Sequence, residues 1–253
     1  MMKKICLVTG GTSGIGFGIL QNLLEQKDYQ VISLSRSQTA INAAKQKLGQ
    51  IAASVDFIQG DISIPEDCQK VQAYISQKYG RLDGLVNCAG IINLGGIEKQ
   101  TLEEWNHSIN VNLTGSFILT QALLGLLKQS SSASIVNISS MHSQKPGGSI
   151  AYCVAKAGMD MLTKFLAQEL SKYKIRVNSV NPGAVKTNIY LASGDYTAEE
   201  LNQLLAARNQ TYPLGRIGDA KKDIGSMVEF LLSDKATWIT GANIFVDGGI
   251  SIK

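Results

Sequence analysis

The sequence has little of what builds metal and disulfide sites. It holds two histidines, His107 and His142, and four cysteines, Cys6, Cys68, Cys88 and Cys153, with no Cys-x-x-Cys pair among them. A zinc centre needs clustered Cys and His ligands, so none is expected, and the cysteines read as buried free thiols. There is no block of like charge. Lys and Arg number 24 against 20 Asp and Glu, a net charge of +4, and the basic residues are dispersed along the chain. That pattern describes a solvated surface and not a nucleic-acid footprint. No apolar run has the length of a membrane span or an export signal. After Met1-Met2-Lys3-Lys4, the run Ile5-Cys6-Leu7-Val8 ends in a glycine turn. The expected setting is the cytoplasm. Internal repeats and low-complexity tracts are also missing.

What is present is one domain's worth of alternating elements. The chain has 253 residues, 44% of them hydrophobic, enough for a substantial core. Short β-branched runs at 4–9, 30–35, 54–59, 84–87, 133–139, 175–181 and 243–247 read as strands. Several are apolar without alternation, as strands covered on both faces are. Between them, helical periods occupy 14–26, 39–48, 65–78, 101–128, 150–172 and 219–233. Repeated β-α-β with short links predicts an α/β fold: a single doubly wound (Rossmann) domain with a parallel seven-stranded sheet and helices on both faces. One long stretch, 183–218, has no strand and only a small helix candidate at 197–207. Its part from 186 to 217 reads as a lid over a substrate.

The first strand runs into Thr9-Gly10-Gly11-Thr12-Ser13-Gly14-Ile15-Gly16 and then the first helix. Gly10 allows a tight turn. Gly14 and Gly16 let the backbone approach a pyrophosphate and the helix pack on the sheet, and the helix N-terminus offers N–H donors to the anion. No Lys-Ser/Thr follows the glycines, which argues against an ATP-type loop. The second strand ends at Ser35-Arg36-Ser37, where an NAD site usually carries an acid for the ribose hydroxyls. A guanidinium fork between two hydroxyls suits a phosphate monoester instead, so the expected cofactor is NADP(H) over NAD(H).

Further motifs follow in order: Asp61-Ile62 after the third strand, Asn87-Cys88-Ala89-Gly90 after the fourth, Val111-Asn112-Leu113-Thr114-Gly115, Tyr152-Cys153-Val154-Ala155-Lys156, Asn181-Pro182-Gly183-Ala184-Val185-Lys186-Thr187, and Asp247-Gly248-Gly249. With the glycine turn, this series resembles the single-domain short-chain dehydrogenases/reductases over nearly the whole chain, and the Asn-Pro-Gly and Val-Asp-Gly-Gly segments are similar to those of 3-oxoacyl-carrier-protein reductases. Cys88 departs from the family's Asn-Asn-Ala-Gly. The resemblance implies that Asp61 and Ile62 lie against the adenine. It implies that Asn87, Ala89 and Gly90 flank the cofactor, and that Pro182, Gly183, Val185 and Thr187 run along the nicotinamide. It also implies a catalytic set of Tyr152, Lys156, a serine and Asn112, with Lys156 also on the nicotinamide ribose and Asn112 holding a relay water. A homotetramer built through helices 101–128 and 150–172 and the last strand is a further implication.

The residues themselves support a proton-transfer centre. Hydride transfer to a carbonyl builds charge on its oxygen, which then needs a proton. A free tyrosine, with a pKa near ~10, exchanges poorly at neutral pH. A lysine cation one helical turn away, as Lys156 is from Tyr152, favours the phenolate. The serine has two candidates. Ser140 fits the strand-end motif and is preferred, because loops absorb deletions more readily than strand ends; Ser139 fits the family's usual spacing to the tyrosine. His142, Gln144 and Lys145 read as ordinary loop residues.

The expected function is therefore NADP(H)-dependent interconversion of a carbonyl and a secondary alcohol on a small-molecule substrate, with 3-oxoacyl-carrier-protein, steroid, sugar and small-ketone relatives in view. A carrier-bound substrate would favour a basic patch near the lid, for which Arg208, Arg216, Lys221 and Lys222 are candidates. The alternatives are an NAD-preferring alcohol dehydrogenase and a dinucleotide-binding redox sensor without turnover. The sensor would be expected to have lost Tyr152, Lys156 or the serine. A sugar-nucleotide epimerase or dehydratase lacks the chain length for its substrate region.

Overall fold

The fold comes from a computed structural model that describes residues 3–187, 189, 194 and 196–253. Seven parallel strands form the sheet: β1 (Lys4–Thr9), β2 (Tyr29–Ser35), β3 (Val55–Gln59), β4 (Gly84–Asn87), β5 (Ser134–Ile138), β6 (Arg176–Pro182) and β7 (Asn243–Val246), in the spatial order β3-β2-β1-β4-β5-β6-β7. The expected seven strands are all present, with ends shifted by a residue or so. The apolar runs lack alternation because both faces are covered. In β1, Ile5 and Leu7 join one core cluster while Cys6 and Val8 join the other. Each fully buried Leu or Ile side chain contributes roughly 1.5–3 kcal/mol.

One face carries α3 (Pro65–Tyr79), α5 (Gly115–Leu127) and α6 (Ile150–Leu170), whose Val71, Leu119, Leu123 and Leu166 lie in the first cluster. The other carries α1 (Gly14–Glu25) and α8 (Ser226–Leu232), with Ile19, Leu23, Val228 and Leu231 in the second. The remaining helices are α2 (Gln38–Leu48), α4 (Leu102–Ile109) and α7 (Ala198–Asn209). The helix expected at 197–207 is thus α7, opened by a capping box between Thr197 and Glu200. Asn188, Tyr190, Leu191, Ala192, Ser193 and Asp195 of the expected lid lie outside the described residues.

Two expected helices are not simple. The span 101–128 is α4 and α5 joined by a π-helical segment, Asn110–Thr114, and the span 219–233 opens with a second one, Ala220–Gly225. A π segment inserts one residue in a turn without interrupting the apolar pattern, so periodicity cannot reveal it. By length and composition Leu102–Leu127 could cross a membrane, but here Leu119, Leu123 and Leu127 are fully buried in the core. Close packing explains two glycines: a Cβ on Gly18 would stand 2.5 Å from the carbonyl carbon of Ala220, and one on Gly225 would stand 2.8 Å from Asn22 Cβ. Strand order reverses between β1 and β4, which opens a crevice beyond their carboxyl ends.

Candidate active site

That crevice holds a cavity of about 480 Å³. Its floor is the glycine turn. Gly10 and Gly14 have φ of +68° and +53°, and a Cβ on Gly16 would lie 2.3 Å from Gly10 O. Thr9 ties this turn to β4: its hydroxyl donates to Val86 O at 3.3 Å and accepts from the N–H groups of Cys88 and Ala89, both at 2.9 Å. Ser13 begins α1 without a side-chain cap, and no acid sits in the first turn. The helix therefore offers unshared N–H donors and its positive end to an anion, which fits the pyrophosphate of a dinucleotide.

Of the residues expected to bind cofactor, Gly10, Ser13, Gly14, Ile15, Gly16, Arg36, Ala89, Gly90, Tyr152, Lys156, Pro182, Gly183, Val185 and Thr187 line this cavity. The rest lie behind it or beside it. Thr12 and Ser35 hydrogen-bond each other at 2.9 Å. Ser37 caps α2, accepting from Ala40 N–H at 3.1 Å. Asp61 accepts from Ser63 and stands 3.7 Å from Arg36 Nη1. Two side chains turn away from where the motif would have them touch the cofactor. Ile62 is buried in the core against α5, and Asn87 is buried under the sheet end, donating to Thr120 Oγ1 and Asn137 Oδ1.

The catalytic candidates come from three elements, α6, the end of β5 and the first π segment. Ser149 caps α6 by accepting from Tyr152 N–H at 3.3 Å, which sets Tyr152 in the first turn and Lys156 one turn on. Lys156 Nζ is buried, donates to Ile138 O at 2.7 Å, and lies 5.5 Å from the centre of the Tyr152 ring. Burial lowers its pKa from 10.5 to about 8, against smaller opposing effects of Cys88 and Asp160. Burial likewise pushes the Cys88 thiol up to about 12, with Lys156 opposing that rise.

The two serines part at the end of β5. Ser139 turns inward and donates to Lys156 O at 3.1 Å. Both border the cavity, and Ser140 accepts from His142 N–H at 3.1 Å, which leaves its proton to donate. The Ser140 carbonyl is held in turn: Asn181 Nδ2 reaches it at 3.3 Å while bonding both oxygens of the buried Asp160 at 3.1 and 2.9 Å. Asn112 lies in the first π segment. Its side chain is wholly engaged, accepting from Ile91 N–H and donating to Ile91 O, Ser108 O and Ser108 Oγ at 2.9–3.1 Å. A Cβ on Gly90 would meet Asn112 Oδ1 at 2.7 Å and Lys156 Nζ at 3.8 Å, so both flank that glycine.

Several lining residues were not legible as such. Asn93, His107, Met141, His142 and Arg208 all face the cavity, from the loop after β4, α4, the loop after β5, and α7. Asn93, Met141, His142 and Arg208 fall in the stretches 90–97, 141–150 and 184–215, where sequence alone places substrate contacts without naming residues; His107, inside a helix, carries no such signal, and Arg208 reads as surface. The four cysteines are free as expected; Cys6 and Cys68 are buried, but Cys88 and Cys153 are half-buried, and Cys88 faces the cavity. Among the described residues no His, Cys, Asp or Glu cluster could hold a metal.

Comparison with known proteins agrees with this geometry. Residues 10–251 match the family model described as Enoyl-(Acyl carrier protein) reductase. The chain is 32% identical over 250 residues to 2,5-dichloro-2,5-cyclohexadiene-1,4-diol dehydrogenase LinX of Sphingobium indicum, covering 98% of this chain and 96% of that one. It is 33% identical to the 3-oxoacyl-[acyl-carrier-protein] reductase FabG of Thermotoga maritima, with 98% of each chain covered. Among solved structures, Thermoplasma acidophilum aldohexose dehydrogenase in ligand-free form superposes with a TM-score of 0.86 at 29% identity, covering 100% of this chain and 95% of that one. A short chain dehydrogenase family protein of Francisella tularensis gives 0.86 at 31% identity, with 100% of both covered. The chain therefore belongs to the short-chain dehydrogenase/reductase family and is an NAD(P)-dependent oxidoreductase acting on CH–OH groups and the corresponding carbonyls.

Proposed function

We propose that this enzyme is an NADP(H)-dependent carbonyl reductase in which Tyr152 exchanges the proton, Lys156 keeps that proton mobile, and Ser140 holds the substrate oxygen. One observation carries the reading: Tyr152, Lys156 and Ser140 line the same cavity as the uncapped glycine turn and Arg36. When bound, the nicotinamide supplies or accepts the hydride. The protein does the rest. Ser140 donates to the oxygen on which charge develops. Tyr152 gives up its proton to that oxygen, and the Lys156 cation favours the phenolate left behind. Lys156 is fixed by its bond to Ile138 O, and Asp160 and Asn181 fix the Ser140 backbone. Because the Asn112 side chain is engaged, its part in a proton relay falls to the main chain of the π segment beside Lys156.

The choice of NADP(H) rests on Arg36, which follows β2 with about half of its side chain exposed and available to a 2′-phosphate. Its 3.7 Å approach to Asp61 favours the competing NAD reading, since a carboxylate there offsets the guanidinium. Catalytic efficiency with NADPH and NADH decides between them: NADPH should be preferred at least tenfold, and equal use or NADH preference would sink the assignment.

The reading of 186–217 as a substrate lid is supported, among the described residues, by Thr187, Ile189 and Arg208 in the cavity wall. A homotetramer is supported by exposed apolar side chains on α5 and α6, Phe117, Val154, Met161 and Phe165, and by Trp238, Leu214 and Ile252 near β7. Four free thiols suit the reducing cytoplasm. The relatives act on a cyclohexadiene diol, an acyl-carrier thioester and an aldohexose by their names, so substrate choice lies with the side chains around Tyr152, and the substrate is a small alcohol or carbonyl compound.

A further inference from the structure

The turn that follows Ser140 is held at both ends. Met141–Ser143 form a single 3-10 turn. Asn181 Nδ2, on β6, reaches Ser140 O at 3.3 Å and Ser143 Oγ at 3.0 Å. Further along, Gly95 N–H donates to Gly148 O at 2.9 Å and Ile150 N–H donates to Gly95 O at 3.1 Å, which fastens this loop to the one after β4. His142 stands in the middle of the held turn and lines the cavity that also holds Tyr152 and Lys156.

The ring of His142 is fixed as well as its backbone. The main-chain N–H donates to Ser140 Oγ at 3.1 Å, and Nδ1 stands 2.9 Å from Lys145 O. A carbonyl oxygen only accepts, so Nδ1 carries the proton, and the neutral imidazole then has its lone pair on Nε2. Gly147 closes over the same side of the ring: a Cβ there would lie 2.5 Å from both Nδ1 and Cε1. The Cδ2–Nε2 edge is what remains for the cavity, and Nε2 has no hydrogen-bond partner among the described residues. No carboxylate among the described lining residues competes with it for a donor.

We infer that His142 determines substrate choice: its Nε2 accepts a hydrogen bond from a hydroxyl near the reacting carbonyl, so the enzyme favours hydroxy-ketones over plain ketones and over the corresponding ethers. The inference rests on the reading of Ser140 and Tyr152 as the carbonyl site. Because Ser140 Oγ is bonded to His142 N–H, one turn sets both the group that holds the reacting oxygen and the ring that takes the hydroxyl. A fixed acceptor needs no ordering when substrate arrives. It rejects an analogue that cannot donate, since Nε2 then gives up its water without a replacement. An ether is the sharper control, because its oxygen accepts but cannot donate and sets lone pair against lone pair.

The test measures kcat/KM with NADPH for hydroxyacetone, methoxyacetone and butanone, in mildly alkaline buffer where an imidazole is neutral. Wild type should favour hydroxyacetone over both others by about 5-fold or more. In His142→Phe that preference should vanish, and His142→Gln, whose amide group can stand near the place of Nε2, should recover part of it. No preference in wild type, equal favour for methoxyacetone, or a preference that persists in His142→Phe overturns the inference; the last result would give the hydroxyl to another lining group such as Asn93. Two readouts need no turnover. In protein carrying nitrogen-15 histidine, the ring signals that disappear in His142→Gln should show the proton on Nδ1, and a proton on Nε2 overturns the inference. Titrated into the enzyme–NADPH complex and followed by NADPH fluorescence, 1,2-propanediol should bind more tightly than 1-methoxy-2-propanol to wild type but not to His142→Phe. Both results support the site even if Tyr152 proves to have no catalytic part, whereas turnover without a hydroxyl preference leaves the Tyr152 reading intact and defeats this one.

Discussion

Replacing Lys156 by Met should make the stability of the cofactor-free protein depend less on pH. The ammonium is buried with one backbone acceptor, Ile138 O, and burial takes its pKa from 10.5 to about 8. At neutral pH this corresponds to about 3 kcal/mol held against folding, at 1.36 kcal/mol per pKa unit. The unfolded chain binds more protons than the folded one between pH 8 and 10.5, so wild-type stability rises with pH through that window. From pH 7 to about 9.5 the wild type should gain ~2 kcal/mol relative to Lys156→Met, or about 4–8 °C in Tm for a chain of this size. Removing the bond to Ile138 O costs the variant about 1 kcal/mol at every pH and leaves the slope alone. Urea or thermal unfolding of both proteins without cofactor, at the two pH values, measures the difference. Curves that stay parallel, or a wild type that loses ground as pH rises, would refute a buried, depressed lysine.

Three other outcomes follow from the geometry. Ser140→Ala should lower kcat by at least 100-fold with little change in stability, whereas Ser139→Ala should cost about 1 kcal/mol of stability through its lost bond to Lys156 O and retain most turnover; steady-state kinetics with a urea melt separates them, and the reverse pattern reassigns the serine. Arg36→Ala should raise the KM for NADPH roughly tenfold or more while barely affecting NADH, and an equal effect on both cofactors would remove the 2′-phosphate role. Light scattering after size exclusion should give four copies per particle if the exposed faces of α5, α6 and the β7 region pair; a clean monomer would show that Phe165 and Trp238 are simply exposed.

The strands were legible to the residue where apolar runs meet turn formers, as in β1 and β4. The glycine turn and the Tyr152/Lys156 turn of helix were legible because each is local, fixed by φ or by spacing along one helix. What stayed hidden is non-local. Nothing in the apolar run 101–128 marks the inserted residue at 110–114, although Asn112 sits in it. Neighbouring serines at a strand end differ in the direction of the side chain, which spacing does not show; the sequence favours Ser140 on its strand-end motif, and the bond of Ser139 Oγ to Lys156 O is visible only in the fold. The Asp160–Asn181–Ser140 connection joins residues of three elements. Arg208 reads as surface in the sequence, because its place in the cavity wall depends on where α7 packs.

The central claim is that Tyr152 passes the proton beside a bound nicotinamide, and Tyr152→Phe tests it most directly. The absorbance of reduced nicotinamide, followed with NADPH and a panel of ketones and oxo-acids, should fall with wild type and stay flat with the variant. NADPH fluorescence should meanwhile show that the variant still binds the cofactor. Turnover by Tyr152→Phe at a rate near that of wild type would contradict the account.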